Sequence, residues 1–208
     1  MAKFILATQN RHKVKEILKI LGAHFGGKRR RAGWRGRKIK LLSLLDFANP
    51  PKIIENGRTF EANALKKARA VVKKYRLPSV ADDSGLMVGC LDGAPGIKSA
   101  RYAGPNPTKE RLCRKLIREI EKVCGFPRAR ARFVCCIAIV WPDGREKVIR
   151  GEVQGHIINE MCGENGFGYD PVFVPRGYNK TFAQMQPAFK NRISHRARAL
   201  KKLANILA

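Results

Sequence analysis

The chain opens with a short apolar run, Lys3-Phe4-Ile5-Leu6-Ala7-Thr8, that reads as a strand. A polar turn from Gln9 to Lys13 leads into a helical pattern with Val14, Ile17, Leu18 and Leu21 on one face. Ile39 to Leu45 reads as a second strand. A second helix is expected from about Thr59 to Tyr75, where Ala64, Ala68, Val71, Val72 and Tyr75 form an apolar stripe. Pro78-Ser79-Val80-Ala81 is expected as a short strand that ends at Asp82-Asp83-Ser84-Gly85. A third helix, about Thr108 to Cys124, turns Leu112, Leu116, Ile117, Ile120 and Val123 inward. Ala131 to Trp141 is a long strand, Pro142-Asp143-Gly144 a turn, and Arg145 to Ile158 the returning strand of a hairpin. Val172-Phe173-Val174 follows as a strand, and a last helix starts at Ser194 with Ala197, Leu200, Leu203, Ala204 and Leu207 inward. With no repeat, low-complexity tract or linker, the pattern predicts an α/β chain and one domain over residues 1–208.

Composition narrows this little. At 44% hydrophobic residues the chain can bury a sizeable core. Its longest apolar run, Phe133 to Trp141, has nine residues, whereas a membrane helix needs about 20. Phe4-Ile5-Leu6-Ala7 is too short for a secretory apolar core of about 7–15 residues, so a soluble, cytoplasmic protein is expected, with no membrane contact. The cysteines, Cys90, Cys113, Cys124, Cys135, Cys136 and Cys162, make no C-x-x-C pair, and most sit in apolar runs, where a reduced thiol packs as a small hydrophobe; a disulfide or metal role is the alternative.

Charge changes the picture more. With 43 Lys+Arg against 16 Asp+Glu the chain stands at +27, which attracts polyanions. A basic segment, Lys28 to Lys40, carries eight of those cations beside Trp34 within an insert of about residues 24–40. It reads either as a solvated loop or as a weak nucleic-acid contact. Removing it leaves +19, so the excess is spread over the chain.

Three stretches carry candidate chemistry. Asp82-Asp83-Ser84-Gly85 suits a hard cation such as Mg²⁺, which takes one or two carboxylates plus waters and phosphates; an Asp-rich turn is the alternative. Gly163 to Pro171 either presents Phe167 and Tyr169 for stacking on a base or makes a turn into the next strand. In Lys190-Asn191-Arg192-Ile193-Ser194-His195-Arg196, Ser194 suits an N-cap, and His195 and Arg196 then lie in a first helical turn where cations oppose the dipole.

Six stretches in order resemble one family. They are Thr8 to Lys13; Glu55 to Ala64 with Lys67-Ala68; Ala81 to Leu86; Ala94-Pro95-Gly96 with Ser99 to Tyr102; Gly166 to Pro171; and Ile193 to Arg196. The sequence resembles the inosine triphosphate pyrophosphatases, also called dITP/XTP pyrophosphatases. The resemblance implies an elongated mixed-sheet α/β fold, with two lobes around a central substrate cleft, and a homodimer. It implies Mg²⁺-dependent cleavage of the α–β phosphoanhydride of ITP, dITP and XTP to the monophosphate and pyrophosphate, which clears deaminated purines from the nucleotide pool. By motif, Thr8, Gln9, Asn10, Arg11, His12 and Lys13 would hold the triphosphate, chiefly through Asn10 and Lys13. Glu55 and Asp83 would hold Mg²⁺, with Asp83 also the proton acceptor. Ser84 would touch substrate, Phe167 would stack on the base, and Gly168, Tyr169, Asp170, Lys190, His195 and Arg196 would complete the base and sugar pocket. The competing readings are a nucleic-acid-binding protein on a degenerate enzyme scaffold and a Maf-like pyrophosphatase acting on modified pyrimidine nucleotides.

Overall fold

Residues of β1 (Ala2–Leu6) point alternately to two faces of a sheet, and each face meets a different apolar layer. The structure, a computed structural model, describes residues 2–25, 39–125 and 129–207. Of the basic segment expected to make a contact, Lys28 to Lys40, residues 28–38 lie outside them. The sheet has six strands in the order β2-β1-β3-β4-β5-β6, with β2 (Ile39–Ser43), β3 (Ser79–Val88), β4 (Arg130–Val140), β5 (Glu146–Ile157) and β6 (Phe173–Pro175). β1 is parallel to β2 and β3, whereas β5 and β6 are antiparallel, so the sheet is mixed as expected.

Contacts divide the chain into two compact units: Met1–Asp83 with Cys135–Gly151 and Arg196–Ala208, and Ser84–Val134 with Glu152–His195. In the first, Phe4 and Leu6 pack with Ile17, Ile20 and Leu21 of α1 (Arg11–Phe25) and with Leu200 and Leu203 of α5 (His195–Leu207). Ile5 and Ala7 pack on the opposite face with Ala64, Ala68 and Val71 of α2 (Phe60–Tyr75). A strand covered on both sides reads as a continuous apolar run, which is what β1 shows. Leu18, expected inside, is 45% exposed, and Ile20 takes its place.

In the second unit, Leu112, Leu116 and Ile120 of α3 (Lys109–Val123) pack against Leu86, Val88, Phe133, Phe173 and Phe182. Each such burial contributes about 1.5–3 kcal/mol. Val123, expected inside, is 60% exposed. A short helix that the periodicity did not reveal, α4 (Pro187–Ile193), carries Pro in its first turn, where the missing N–H costs no hydrogen bond.

Two expectations are corrected. Strand β3 does not stop at Asp82: Asp82, Asp83, Ser84 and Gly85 lie inside it, and the Asp-rich turn is absent. Cys90 and Cys124 form a disulfide rather than packing as thiols, because α3 returns the chain to the end of β3 across 34 residues of sequence. Cys113, Cys135 and Cys136 are buried thiols, as read. No helix among the described residues is long and apolar enough to cross a membrane.

Candidate active site

Extending β3 through the acidic pair decides what each carboxylate does. Val80 belongs to the α1–α5 layer and Ala81 to the α2 layer, so the same alternation carries Asp82 to the first side and Asp83 to the second. Each carboxylate therefore makes its direct contacts with a different set of side chains. The two carboxylates meet different surroundings, and Asp83 is the one on the side of Glu55 and Lys67.

Asp82 is held by cations on its side. Its Oδ1 pairs with Lys13, and its Oδ2 accepts hydrogen bonds from Arg196 Nε at 3.1 Å and Cys135 Sγ at 2.9 Å. Burial alone would raise its pKa, but Arg196 and Lys13 outweigh burial and hold it well below the usual carboxylate range. Arg196 Nη1 also pairs with Glu16 at 2.5 Å. The guanidinium expected at the base pocket is thus committed to two carboxylates of the first unit.

Asp83 has the opposite surroundings. Lys67 Nζ, on the buried face of α2, donates to Asp83 Oδ1 at 2.9 Å and lies 3.3 Å from Glu55 Oε2. Asp83 Oδ2 is buried and has no hydrogen-bond partner among the described residues. Burial raises the Asp83 pKa and Glu55 adds to the rise, while Lys67 and Lys13 oppose it. Two neighbouring carboxylates with pKa values pushed apart mark an acid–base assignment, and Asp83 is the one suited to accept a proton.

Glu55 is placed by the turn before α2. Gly57 N–H donates to Asn63 Oδ1 at 2.8 Å, and a Cβ at Gly57 would lie 2.6 Å from that oxygen. Thr59 caps the helix by accepting from Ala62 N–H at 3.0 Å. Among the described residues no group of three or more His, Cys, Asp or Glu side chains is arranged to hold a metal. Glu55 and Asp83 thus offer a two-carboxylate donor set with one orphaned oxygen, which fits a divalent ion that completes its shell with water and phosphate.

The Thr8–Lys13 turn is closed by hydrogen bonds of its own side chains. Asn10 Oδ1 accepts from His12 N–H at 3.0 Å and Lys13 N–H at 3.1 Å, and Thr8 Oγ1 accepts from Asn10 N–H at 3.2 Å. Asn10 is the N-cap of α1, so its oxygen is committed to the helix and its side-chain amide group is what remains for an anion. Gln9, Arg11 and His12 are exposed, and Lys13 is partly buried beside Asp82. The first turn of α1 holds no acidic residue, and its cations make an electropositive end.

The remaining residues cluster in the second unit. Asp170 Oδ2 accepts from Phe167 N–H at 2.8 Å and pairs with Lys190 Nζ at 2.6 Å. Lys190 Nζ lies 5.1 Å from the Phe167 ring centroid, within cation–π range. Gly166 has φ +76°, and a Cβ there would stand 2.0 Å from Asp170 Oδ2, so only glycine lets the loop close on that carboxylate. Gly168 and Ser84 are partly buried. His195 is buried and stacks on Phe133, with centroids 4.7 Å apart and planes 9° apart. Tyr169 departs from its expected role: it is 2% exposed and donates its hydroxyl to Ser99 O at 3.0 Å, which makes it part of the core.

The Ham1 family model matches residues 4–206. This chain belongs to the Ham1 family. It is 42% identical over 199 residues to the dITP/XTP pyrophosphatase of Rhodospirillum centenum, covering 96% of this chain and 91% of the relative. To the enzyme of that name from Bacillus subtilis it is 41% identical over 207 residues, 100% of this chain and 98% of the relative. The solved HAM1 protein of Coxiella burnetii superposes with a TM-score of 0.85 at 37% identity, covering 100% and 98% of the two chains. A nucleoside-triphosphatase / dITP/XTP pyrophosphatase from Mycobacterium abscessus gives 0.74 at 38% identity, covering 97% and 98%. The family bears out the fold class read from the motifs.

Two members of the arrangement escaped the sequence reading. Lys67 lies inside a matched motif that assigns it no role, although a lysine on the Asn63, Ala64, Ala68, Val71 stripe of α2 is a signal that it meets a buried anion. Glu16 gave no comparable signal, since its partner Arg196 lies 180 residues away.

Proposed function

We propose that the chain is a hydrolase of acid anhydrides that converts ITP, dITP and XTP to their monophosphates and pyrophosphate, with Mg²⁺ as cofactor. The observation that carries this reading is Asp83: a buried carboxylate with a raised pKa and one orphaned oxygen, beside Glu55 and Lys67. The names of full-length relatives at about 40% identity support the reaction class.

Glu55 and Asp83 would hold Mg²⁺, which when bound neutralises phosphate charge and favours an ionised water. Asp83 Oδ2 accepts the proton of the water that attacks the α-phosphorus. The α–β bridging oxygen then leaves with pyrophosphate. Lys13, Thr8, the side-chain amide of Asn10 and the end of α1 hold the polyphosphate, with Gln9, Arg11 and His12 beside it. Lys67 counters the charge that collects on Asp83 and Glu55. In the second unit Phe167 stacks on the base, and Asp170 fixes both the Phe167 backbone and Lys190. Donors to a 6-oxo group would come from His195, Lys190 and the N–H groups of Arg196 beyond those that meet Asp82 and Glu16. An adenine amine there would leave those donors unpaired, which discriminates strongly.

Residues 1–208 act as one domain, in the cytoplasm where the nucleotide pool lies, and as a homodimer. The test is incubation with ITP and Mg²⁺. Release of pyrophosphate and IMP is expected, and release of orthophosphate alone overturns the reading. A panel of modified pyrimidine triphosphates should give little turnover.

A further inference from the structure

We propose that Glu16, Arg196 and Asp82 form a buried positioning ladder that fixes the Lys13 ammonium where the polyphosphate of the substrate arrives. The proposal rests on the reading above that Lys13 contacts that polyphosphate. Glu16 Oε2 pairs with Arg196 Nη1 at 2.5 Å, Arg196 Nε donates to Asp82 Oδ2 at 3.1 Å, and Asp82 Oδ1 pairs with Lys13 Nζ. Lys13 and Glu16 stand three positions apart on α1, so both ends of the ladder return to the same helix face.

Burial separates this set from an ordinary surface pair. The side chains of Asp82 and Arg196 are each 1% exposed, Glu16 is 14% and Lys13 15%. Cys135 on β4 donates a further hydrogen bond to Asp82 Oδ2 at 2.9 Å, so both oxygens of Asp82 are committed to protein donors. That commitment makes Asp82 an anchor for Lys13 and leaves the metal to the other side of β3.

The four formal charges cancel, two positive and two negative, so the ladder adds geometry rather than net field. Geometry is what a lysine lacks: its four-carbon stem carries large rotamer entropy that must be lost when it meets a ligand. Held by a carboxylate that is itself locked by a guanidinium, the Lys13 ammonium is already ordered before substrate binds. Its remaining N–H donors can meet phosphate oxygens without breaking the pair with Asp82. Arg196 thereby acts on the polyphosphate through Asp82 and Lys13, as a positioning residue.

The experiment measures binding of inorganic triphosphate to the full chain by calorimetry in Mg²⁺, beside steady-state kinetics with ITP. Glu16→Gln alters the ladder where it is least buried. It should weaken inorganic triphosphate about 3–10-fold and raise KM for ITP by the same factor, with kcat within twofold and inhibition by inosine unchanged. Asp82→Asn, similar in shape but uncharged, should weaken inorganic triphosphate at least about 10-fold. Should that variant fail to fold, Glu16→Gln decides. A folded Glu16→Gln with a lowered Tm but wild-type triphosphate affinity overturns the ladder as a positioning device. Lys13→Ala separates the two readings: if it loses triphosphate affinity while Glu16→Gln does not, only the ladder fails. If Lys13→Ala binds triphosphate as wild type does, the phosphate reading beneath it fails as well.

Discussion

Replacing Lys67 with Met removes the cation that faces Asp83 and Glu55 while keeping most of the side-chain volume on α2. The ammonium lies 2.9 Å from Asp83 Oδ1 and 3.3 Å from Glu55 Oε2, which at an effective dielectric of about 20 gives about 6 and about 5 kcal/mol of gross attraction. The Glu55 side chain is 39% exposed, so water screens its share toward the surface value of about 1 kcal/mol or less. The Asp83 side chain is 8% exposed and keeps its share, against which stands the several kcal/mol needed to desolvate the ammonium. Removing one partner of a buried pair costs about 3–5 kcal/mol. The lower end applies here, because the Asp83 pKa is already raised and protonation relieves part of the uncompensated charge. A loss of about 3 kcal/mol lowers Tm by about 6–12 °C in a chain of this length. Calorimetry in a chelator should show that drop. Mg²⁺ at about 100 times its Kd should return about 2.7 kcal/mol, since a divalent ion replaces the lost cation between the two carboxylates. A drop below about 2 °C, or a deficit that Mg²⁺ leaves untouched, refutes the idea that Lys67 balances a metal-binding carboxylate pair.

Asp83→Asn should lower turnover of ITP at least about 100-fold while the circular dichroism spectrum stays that of the wild type, because the proton acceptor is lost and not the fold; retained pyrophosphate release removes Asp83 from the mechanism. Phe167→Ala removes a base platform worth about 1–3 kcal/mol, so KM for ITP should rise about 5–150-fold while affinity for inorganic triphosphate stays constant. Gly166→Ala drives a Cβ to 2.0 Å from Asp170 Oδ2 at a φ of +76°, and should both lower Tm and weaken ITP binding; unchanged values for both would show that the loop closes in another way. If the +27 charge steers a tetra-anionic substrate, kcat/KM should fall steeply between low and physiological ionic strength, and a flat salt profile rejects steering.

Sequence pattern located the helices of the first unit because α1 and α2 each bury one apolar stripe, and periodicity reports that directly. It failed at Leu18 and Val123, which lie at the margins of their stripes and are exposed. α4 has only seven residues, too few for a helical period to show. The Cys90–Cys124 pairing depends on where α3 brings the chain back, which spacing alone does not encode. The ordered motifs named the fold and most candidate site residues, but a motif match says which residues occur together, not what each one touches. Asn10, Tyr169 and Arg196 each have a partner within the protein that the motifs do not name: the first turn of α1, the Ser99 carbonyl, and the carboxylates of Asp82 and Glu16.

The acidic pair shows why that difference matters. Read as letters, Asp82 and Asp83 are interchangeable, and residue type alone does not say which of them meets a given cation. Placed in a strand covered on both faces, adjacency means opposition, so each carboxylate is judged against a different helix. The chain has 43 cations for 16 anions, and the buried carboxylates Asp82, Asp83 and Asp170 each meet a lysine or arginine in the interior. A cation partner is therefore no mark of a functional acid in this protein. Asp82 holds Lys13 through Oδ1 and Arg196 and Cys135 through Oδ2, and Asp170 Oδ2 holds Lys190 and the Phe167 N–H, whereas Asp83 keeps one oxygen buried and without a hydrogen bond among the described residues. An orphaned carboxylate oxygen costs stability unless another ligand takes it up. That unmet demand distinguishes Asp83 from its neighbour and is the ground on which the role of proton acceptor is proposed for it.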